Sequence, residues 1–320
     1  MNIRSVVLLA ACCGLWPGVC IAQSGTIKMV IGFPPGVSLD AMTRLLGDRL
    51  AVALKQSVIV ENRAGGAARI ATEHVKNAAP DGNTLLMTPF ASMVINPFVY
   101  SSLRYDPVAD FTPIAHIASF HFAFASGAHV PVKTLREYID AAKRDDKLGQ
   151  YSSAGAGSLP HFFSLLFARD AGLNMNHIPY KGSALALNDL MGGHIAAFIG
   201  TVADVRPLHM GGKARALATS GPTRSKDLLD VPTFRESGFA NLVGGGWYAL
   251  YAPAKTPRAV VERISAAVIQ IVRNPEVNAK LESMGMEPSG LPAAELLAIQ
   301  KADGEKWGPV IRASGFKLDD

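Results

Sequence analysis

The sequence predicts an α/β fold in which buried parallel strands alternate with amphipathic helices. Lys28–Phe33 is largely apolar, as is typical of a strand covered on both faces. A segment with apolar residues at helical spacing follows, including Met42 and Leu46, and a second strand is predicted over Ser57–Glu61. Because strand, helix and strand in this order form a crossover unit, we expect a mostly parallel sheet with helices on both faces.

The same alternation continues along the chain and falls into two sets, the second beginning beyond Phe120. Apolar periodicity and turn residues place the further strands at Thr84–Thr88, Gly149–Ser153, Met175–Pro179, Ile195–Ile199, Ala214–Ser220 and Trp247–Tyr251. Helices are predicted at Ala67–Ala78, Thr134–Arg144, Leu159–Asp170, Ser183–Met191, Val202–Met210, Pro257–Arg273, Pro275–Met284 and from Pro292 to about Ala313.

The N-terminus has the features of a secretory signal peptide. Met1–Arg4 carries a positive charge, Ser5–Cys20 is apolar, and small residues precede a cut after Ala22. We therefore predict that residues 1–22 are removed on export. Lipidation at Cys12 is an alternative, because the residues before it resemble a lipoprotein box.

Composition excludes several functions. All three cysteines precede residue 23, so the mature chain is expected to have neither disulfides nor thiol catalysis. The net charge of +5 includes no cluster of five or more Lys and Arg residues, which argues against a nucleic-acid partner. The eight histidines are scattered, no nucleophile elbow or phosphate-binding loop is present, and we expect no metal or cofactor. An exported hydrolase is the remote alternative.

The most informative segment is Gln150–His161, which combines a strand end, a small-residue loop and the first turn of a helix. Such a junction directs backbone N–H groups and the positive end of the helix dipole at one point, which suits a small anion. Gly155 and Gly157 would let a ligand approach the backbone. The alternative is a loop that caps its own helix, with Ser158 as the N-cap.

Two more loops follow predicted strands and carry polar groups, Phe33–Asp40 in the first set and Ile178–Ser183 in the second. Ligands of open parallel sheets bind beyond the carboxyl ends of the strands. Because the marked loops come from both sets, we expect a binding cleft between two domains.

These loops belong to a series of short motifs that resembles the Bug family of periplasmic solute receptors, the binding components of tripartite tricarboxylate transporters. The resemblance covers about Ile27 to Phe316. Its motifs, in chain order, are Phe33-Pro34-Pro35-Gly36 with Asp40, Val60-Glu61-Asn62-Arg63, Ala79-Pro80-Asp81-Gly82, Ser153-Ala154-Gly155 with Gly157, Ser158 and His161, Pro179-Tyr180-Lys181-Gly182, and Trp247-Tyr248 with Ala252-Pro253.

The resemblance implies a two-lobed periplasmic binding protein of type II, with a mostly parallel sheet and flanking helices in each lobe. Lobe 1 would comprise residues 23–123 and 247–320, and lobe 2 residues 124–246. The protein would be a periplasmic monomer and not an enzyme. It would close on a small organic carboxylate, held by backbone groups and two ordered waters near Phe33–Asp40, and deliver it to integral membrane transporter subunits. A sensor that hands its closed form to a signalling partner is the alternative.

The ligand-binding residues that the resemblance and the loop chemistry imply come from five places in the chain. Most have alternatives that remain open: helix capping for the residues of the 153–158 loop, a structural histidine for His161, packing in the hinge for Tyr180, a helix first-turn charge for Asp40, and turn capping for Thr88 and Ser92. The full set is Pro35, Gly36, Ser38, Asp40, Thr88, Ser92, Ser153, Gly155, Gly157, Ser158, His161, Tyr180 and Thr201.

The chain departs from the family pattern at two places. Val37 stands where a second glycine is usual, and it narrows access to the backbone. Gly200 and Thr201 stand near a strand end where the family often has Asp. Without an acid there, the sequence favours a plain organic acid over an amino acid as the ligand.

Overall fold

The computed structural model describes residues 25–180 and 182–318. The predicted signal peptide, the alternative lipidation at Cys12 and the motif residue Lys181 lie outside the described residues. Ten strands form the described sheet: β1 (Ile27–Ile31), β2 (Val58–Asn62), β3 (Thr84–Pro89), β4 (Phe111–Gly127), β5 (Gln150–Ser153), β6 (Asn176–His177), β7 (Ala197–Thr201), β8 (Ala214–Thr219), β9 (Gly245–Pro253) and β10 (Glu287–Pro292).

The α-helices of the described chain cover the sheet and match the predicted positions closely. Between them lie 3₁₀ turns at Gly66–Ala68 and Asp146–Gly149 and a π turn at Ala91–Ile95. The helices are α1 (Ser38–Leu54), α2 (Arg69–Lys76), α3 (Asn96–Val99), α4 (Leu135–Ala142), α5 (Leu159–Ala171), α6 (Ser183–Gly192), α7 (Val202–Met210), α8 (Arg258–Arg273), α9 (Pro275–Ser283) and α10 (Ala293–Ser314).

The α/β, two-lobed fold is confirmed, but the sheet is mixed and not mostly parallel. β1 pairs in parallel with β2 and β3, and β5 pairs in parallel with β6 and β7, as crossover units require. The pairings of β9 with β3 and of β4 with β7, β8, β9 and β10 are antiparallel. The parallel strands therefore form two separate groups, and antiparallel strands join them.

One strand, β4, belongs to both halves of the sheet. Its residues Phe111–His121 pair with β9, and from Phe122 onward it pairs with β7 and β8. No local pattern in the sequence predicts this 17-residue strand. The lobe boundaries at 123/124 and 246/247 stay predictions, and β4 runs continuously through the first of them.

The C-terminal helix links the two halves through the core. Trp307 of α10 is fully buried, and its ring lies 6.1 Å from that of Phe163 in α5. Beyond α10, the backbone N–H of Leu318 donates to the carbonyl oxygen of Val99 at 2.9 Å. Phe316 packs edge-on against His161 and Phe162, with ring centroids 5.6 and 5.8 Å away. The end of the chain thus covers the first turn of α5.

The close approach of β4 and β9 gives a test of the fold. A Cβ on Gly245 would lie 2.1 Å from the carbonyl oxygen of Phe120, so the strands must separate to admit one. We expect Gly245→Ala to lower the free energy of unfolding by about 1 to 3 kcal/mol, as overpacking does. Urea denaturation of the purified mature chain measures this.

Gly304→Ala in α10 is the matched control, because its Cβ would meet no atom within 4 Å. Because alanine is favoured over glycine in a helix interior, Gly304→Ala should raise the free energy of unfolding by about 0.5 to 1 kcal/mol. If Gly245→Ala had the same urea midpoint of unfolding as the wild type, β4 and β9 would not pack this closely at Gly245.

Candidate functional site

The loop between β1 and α1 is held by a buried carboxylate. Asp40 is 4% exposed and accepts the N–H of Gly36 at 3.0 Å, the Nδ2–H of Asn62 at 2.9 Å and two bonds from the Arg44 guanidinium. Hydrogen bonds from Arg44 outweigh burial and lower its pKa to about 2. The Asp40 side chain therefore fixes the shape of the loop from inside.

Three other predicted residues of this loop are exposed: Pro35, Gly36 and Ser38. Gly36 has φ +90°, a backbone conformation suited to glycine, and its missing Cβ faces open space. Val37, not Ser38, is the N-cap, and Ser38 is the first residue of α1. The surface of this loop is therefore backbone and small side chains.

Two predicted hydroxyls close to the end of β3 are buried without a protein partner. Thr88 Oγ1 and Ser92 Oγ belong to residues that are each 1% exposed, and neither has a hydrogen-bond partner among the described residues. Leaving a buried hydroxyl unpaired is costly. This arrangement suits hydroxyls that bind a water molecule or a ligand.

The loop between β5 and α5 turns its serine side chains inward. Ser158 is the N-cap of α5, but its hydroxyl donates to the Gly155 carbonyl oxygen at 2.6 Å and makes no capping bond to the helix. Ser153 Oγ accepts the Gly155 N–H at 3.3 Å. Ser158 is therefore the N-cap, as the alternative predicted, but its hydroxyl does not cap α5.

The two glycines of this loop have different roles. Gly157 has φ +73°, and a Cβ on it would lie 2.6 Å from the Phe316 ring. Tail packing and the backbone conformation therefore account for this glycine. At Gly155 a Cβ would meet the carbonyl oxygen of Tyr180 at 3.8 Å, an ordinary contact, so packing does not demand a glycine there.

His161 lies beneath the same loop. Its Nδ1 accepts the Gly157 N–H at 3.1 Å, and its ring lies 4.3 Å from that of His177. His177 Nε2 is 2.9 Å from Ser153 Oγ. Burial lowers the pKa of both histidines, to about 4 for His177, where the nearby His161 adds to the effect.

The remaining predicted residues use their polar atoms within the fold. The hydroxyl of Tyr180 donates to Asp189, and this bond, with burial, raises the pKa of Tyr180 to about 12. Thr201 Oγ1 accepts the N–H of Asp204 at 3.1 Å and caps α7. Both side chains therefore support the loops that carry them.

Asp204 is a polar residue of this region that the sequence analysis missed. Its Oδ2 accepts the Thr201 N–H at 3.3 Å and the Ser183 hydroxyl at 3.1 Å. A carboxylate therefore stands at the end of β7, although the sequence has Gly200 and Thr201 there, and the premise that favoured a plain organic acid is wrong. The Thr-x-x-Asp pattern of a capping box was the available signal.

Tyr248 brings the first half of the sheet close to this carboxylate. It lies on β9, opposite Pro89 of β3, with its ring 5.2 Å from that of Phe120. Burial and the negative charge of Asp204 raise its pKa to about 12. The carboxylate of Asp204 thus acts electrostatically on Tyr248, which lies on the strand that pairs with Thr88.

The described residues contain other concave surfaces. Cavities of about 280, 450 and 390 Å³ lie around Arg224 and Glu287, around Lys133 and Arg215, and around Phe98 and Leu297. None of the predicted site residues lines these three cavities.

No group of three His, Cys, Asp or Glu side chains in residues 25–180 and 182–318 could hold a metal ion. In the same part of the chain, no helix has both the length and the apolar character needed to cross a bilayer.

Residues 42–316 match the family described as the tripartite tricarboxylate transporter family receptor. The chain therefore belongs to this family. The residues that match include nearly all of both halves of the sheet.

Solved structures agree with this assignment. The periplasmic binding protein BugD is 26% identical, with a TM-score of 0.75 over 92% of this chain and 99% of its own. Rpa4515 of R. palustris with adipate is 28% identical, with a TM-score of 0.79 over 92% and 99%. MatC from Rhodopseudomonas palustris with bound malate is 26% identical, with a TM-score of 0.74 over 90% and 99%. The last two of these structures contain a small carboxylate.

The role of Asp40 gives a pH test. Its pKa falls from 3.8 to about 2 on folding, so the charged form stabilises the fold at neutral pH. This contribution should be complete above about pH 4 and should disappear as the pH falls toward 2. We expect about 1 to 2 kcal/mol, because one pKa unit is about 1.4 kcal/mol and the half-exposed Arg44 is screened by solvent.

Urea denaturation of the wild type and of Asp40→Asn between pH 7 and pH 2 measures this contribution. The variant should be less stable at pH 7 and should lose less stability than the wild type below pH 4. Equal pH profiles would contradict the role of Asp40. Asp81→Asn, which alters an exposed turn carboxylate, serves as the control.

Proposed function

We propose that this chain is a periplasmic receptor that binds a small organic carboxylate between its two lobes. It would then deliver this ligand to the membrane subunits of a tripartite tricarboxylate-type transporter. Lobe 1 is proposed to comprise residues 23–123 and 247–320, and lobe 2 residues 124–246. The family assignment and the predicted signal peptide support this proposal.

The absence of a side-chain cap on the first turn of α5 is the observation that carries the proposal. The N–H groups at a helix start have no acceptor within the helix, and the Ser158 hydroxyl makes no capping bond. Pro160 contributes no N–H, which leaves those of Leu159 and His161 in the first turn. Together with the helix dipole, these donors favour a carboxylate.

The proposed contacts divide into those that touch the ligand and those that hold the loops. Backbone and hydroxyl groups of Gly36, Ser38, Thr88 and Ser92 are proposed to touch the ligand or its waters, because they are exposed or unpartnered. Gly155 is proposed to let the ligand approach the loop backbone, because packing does not demand a glycine there. The other predicted residues make hydrogen bonds within the protein, and we propose that they hold the loops in shape. They are Asp40, Ser153, Gly157, Ser158, His161, Tyr180 and Thr201. Pro35 shapes the exposed loop.

The relatives indicate the class of ligand to test first. Adipate and malate both carry two carboxylates, which suits two lobes that each offer backbone donors. Charge-assisted hydrogen bonds to backbone N–H groups are stronger than neutral ones, so a few of them can outweigh the cost of ordering the ligand.

A thermal-shift screen of the mature chain tests the proposal, with isothermal titration of each acid that binds. The panel contains C4 to C6 dicarboxylates, citrate, aromatic acids and aspartate, with the matching amides as controls. At 100 times its dissociation constant, a ligand should add about 2.7 kcal/mol of stability. A response to amides equal to that for acids, or to no carboxylate at all, would refute the proposal.

Gly155→Ala tests the site itself. The new Cβ fits without strain, 3.8 Å from the Tyr180 carbonyl oxygen, but it narrows the approach to the loop backbone. We expect the free protein to keep its melting temperature and the acid to bind about tenfold more weakly, or by about 1.4 kcal/mol. Gly304→Ala, in α10, should bind the acid as the wild type does. If Gly155→Ala bound the acid as tightly as the wild type does, the ligand would not bind at this loop.

A further inference from the structure

We propose that His161 is a positioning residue, which sets the backbone of the glycine-serine loop (residues 153–158) through Gly157 and does so only when its ring is neutral. The inference rests on the proposed function for its effect on ligand binding. The arrangement of the loop itself stands on the hydrogen bonds alone.

The direction of one hydrogen bond fixes the state of the ring. The Gly157 N–H can only donate, so the Nδ1 atom 3.1 Å away must be an unprotonated acceptor. The neutral ring then carries its proton on Nε2. Adding a proton at Nδ1 would set two donors against each other and would release the Gly157 N–H.

The position of His161 explains how the ring reaches this N–H. It is the third residue of α5, the position whose side chain reaches back to the N-cap N–H in a capping box. Here the side chain reaches one residue further, to Gly157, because the Ser158 N–H already donates to the Gly155 carbonyl oxygen at 3.2 Å. The bond therefore holds the residue before the N-cap, and no side chain caps the N–H groups of the first helical turn.

His177 supports the ring but tolerates either protonation state. Its Nε2 lies 2.9 Å from Ser153 Oγ, a hydroxyl that can donate to the nitrogen or accept from it. Ser153 can turn its proton to the Gly155 carbonyl oxygen, 3.1 Å away, if His177 becomes a donor. His161 has no such freedom, because a backbone N–H cannot accept.

The surroundings of the pair disfavour charge. Among residues 25–180 and 182–318, the titratable groups that face the imidazoles are each other and Tyr151 of β5, whose ring lies 5.1 Å from His177. On the tail that carries Phe316, Lys317 donates to the Phe98 carbonyl oxygen. Burial lowers the pKa of His161, so its neutral form is retained at neutral pH and lost on acidification.

Three variants separate positioning from packing. His161→Asn keeps an acceptor close to the place of Nδ1, His161→Phe keeps a buried ring without an acceptor, and His194→Asn changes an exposed histidine as a control. Titrations with the acid identified in the screen, from pH 7.5 to pH 4.5, give the affinities. We expect His161→Phe to bind at least tenfold more weakly at pH 7.5.

His161→Asn should bind within about threefold of the wild type at pH 7.5 and should lose less affinity on acidification, because its acceptor does not titrate. His194→Asn should follow the wild-type pH profile. Wild-type affinity and pH profile in both His161 variants would overturn the inference.

A ligand-free measurement keeps the inference testable if a variant does not fold or no acid binds. Nitrogen-15 NMR of the wild type, with histidine and glycine labelled, reports the tautomer of His161. An unprotonated Nδ1 at pH 7.5, and a shift of the Gly157 amide when His161 titrates, support the inference. A proton on Nδ1 at that pH overturns it. Failure of every acid to bind would count against the proposed function. The NMR measurement of the His161 tautomer would still test whether the neutral ring holds Gly157.

Discussion

The antiparallel pairing of β4 with both halves of the sheet is the constraint on which the rest of the structure depends. β9 pairs with the first part of this strand, and β7 and β8 pair with its second part, so backbone hydrogen bonds hold both groups of parallel strands to one common element. Because β3 adjoins β9 and β5 adjoins β7, the ends of the parallel strands are placed relative to each other through β4. The positions of the loops that carry the candidate site therefore depend on β4.

Local sequence predicted the crossover units well because their signals are local. The strand before α1 is short and apolar, and α7 begins and ends at the predicted residues, since Thr201 provides a cap and Gly211 follows its end. β4 and β10 were missed for a different reason. β4 contains Pro113 and several polar residues, and β10 contains Pro288 and Gly290, so neither has the continuous apolar run that indicates a buried strand. Pairing with distant strands stabilises both of them.

The sequence located the loops of the candidate site but not the directions of their side chains. A serine before a helix predicts an N-cap, yet the hydroxyl of Ser158 binds Gly155 because the glycine-rich turn brings that carbonyl oxygen within 2.6 Å. The partner of His161 is a backbone N–H four residues earlier, and the ring beside it belongs to His177 of β6. Asp204 could have been found from its capping pattern, whereas its closeness to Tyr248 required the folded arrangement of β7 and β9.

The tail after α10 has a consequence for how the protein can be handled. Gly315 turns the chain with φ +65°, Phe316 fills the space that Gly157 leaves, and Leu318 pairs with Tyr100. Shortening the chain before Phe316 would uncover the ring of His161 and remove a link between elements far apart in sequence. An affinity tag for purification is therefore better placed ahead of β1 than directly after Leu318, because Phe316 and Leu318 pack against the core.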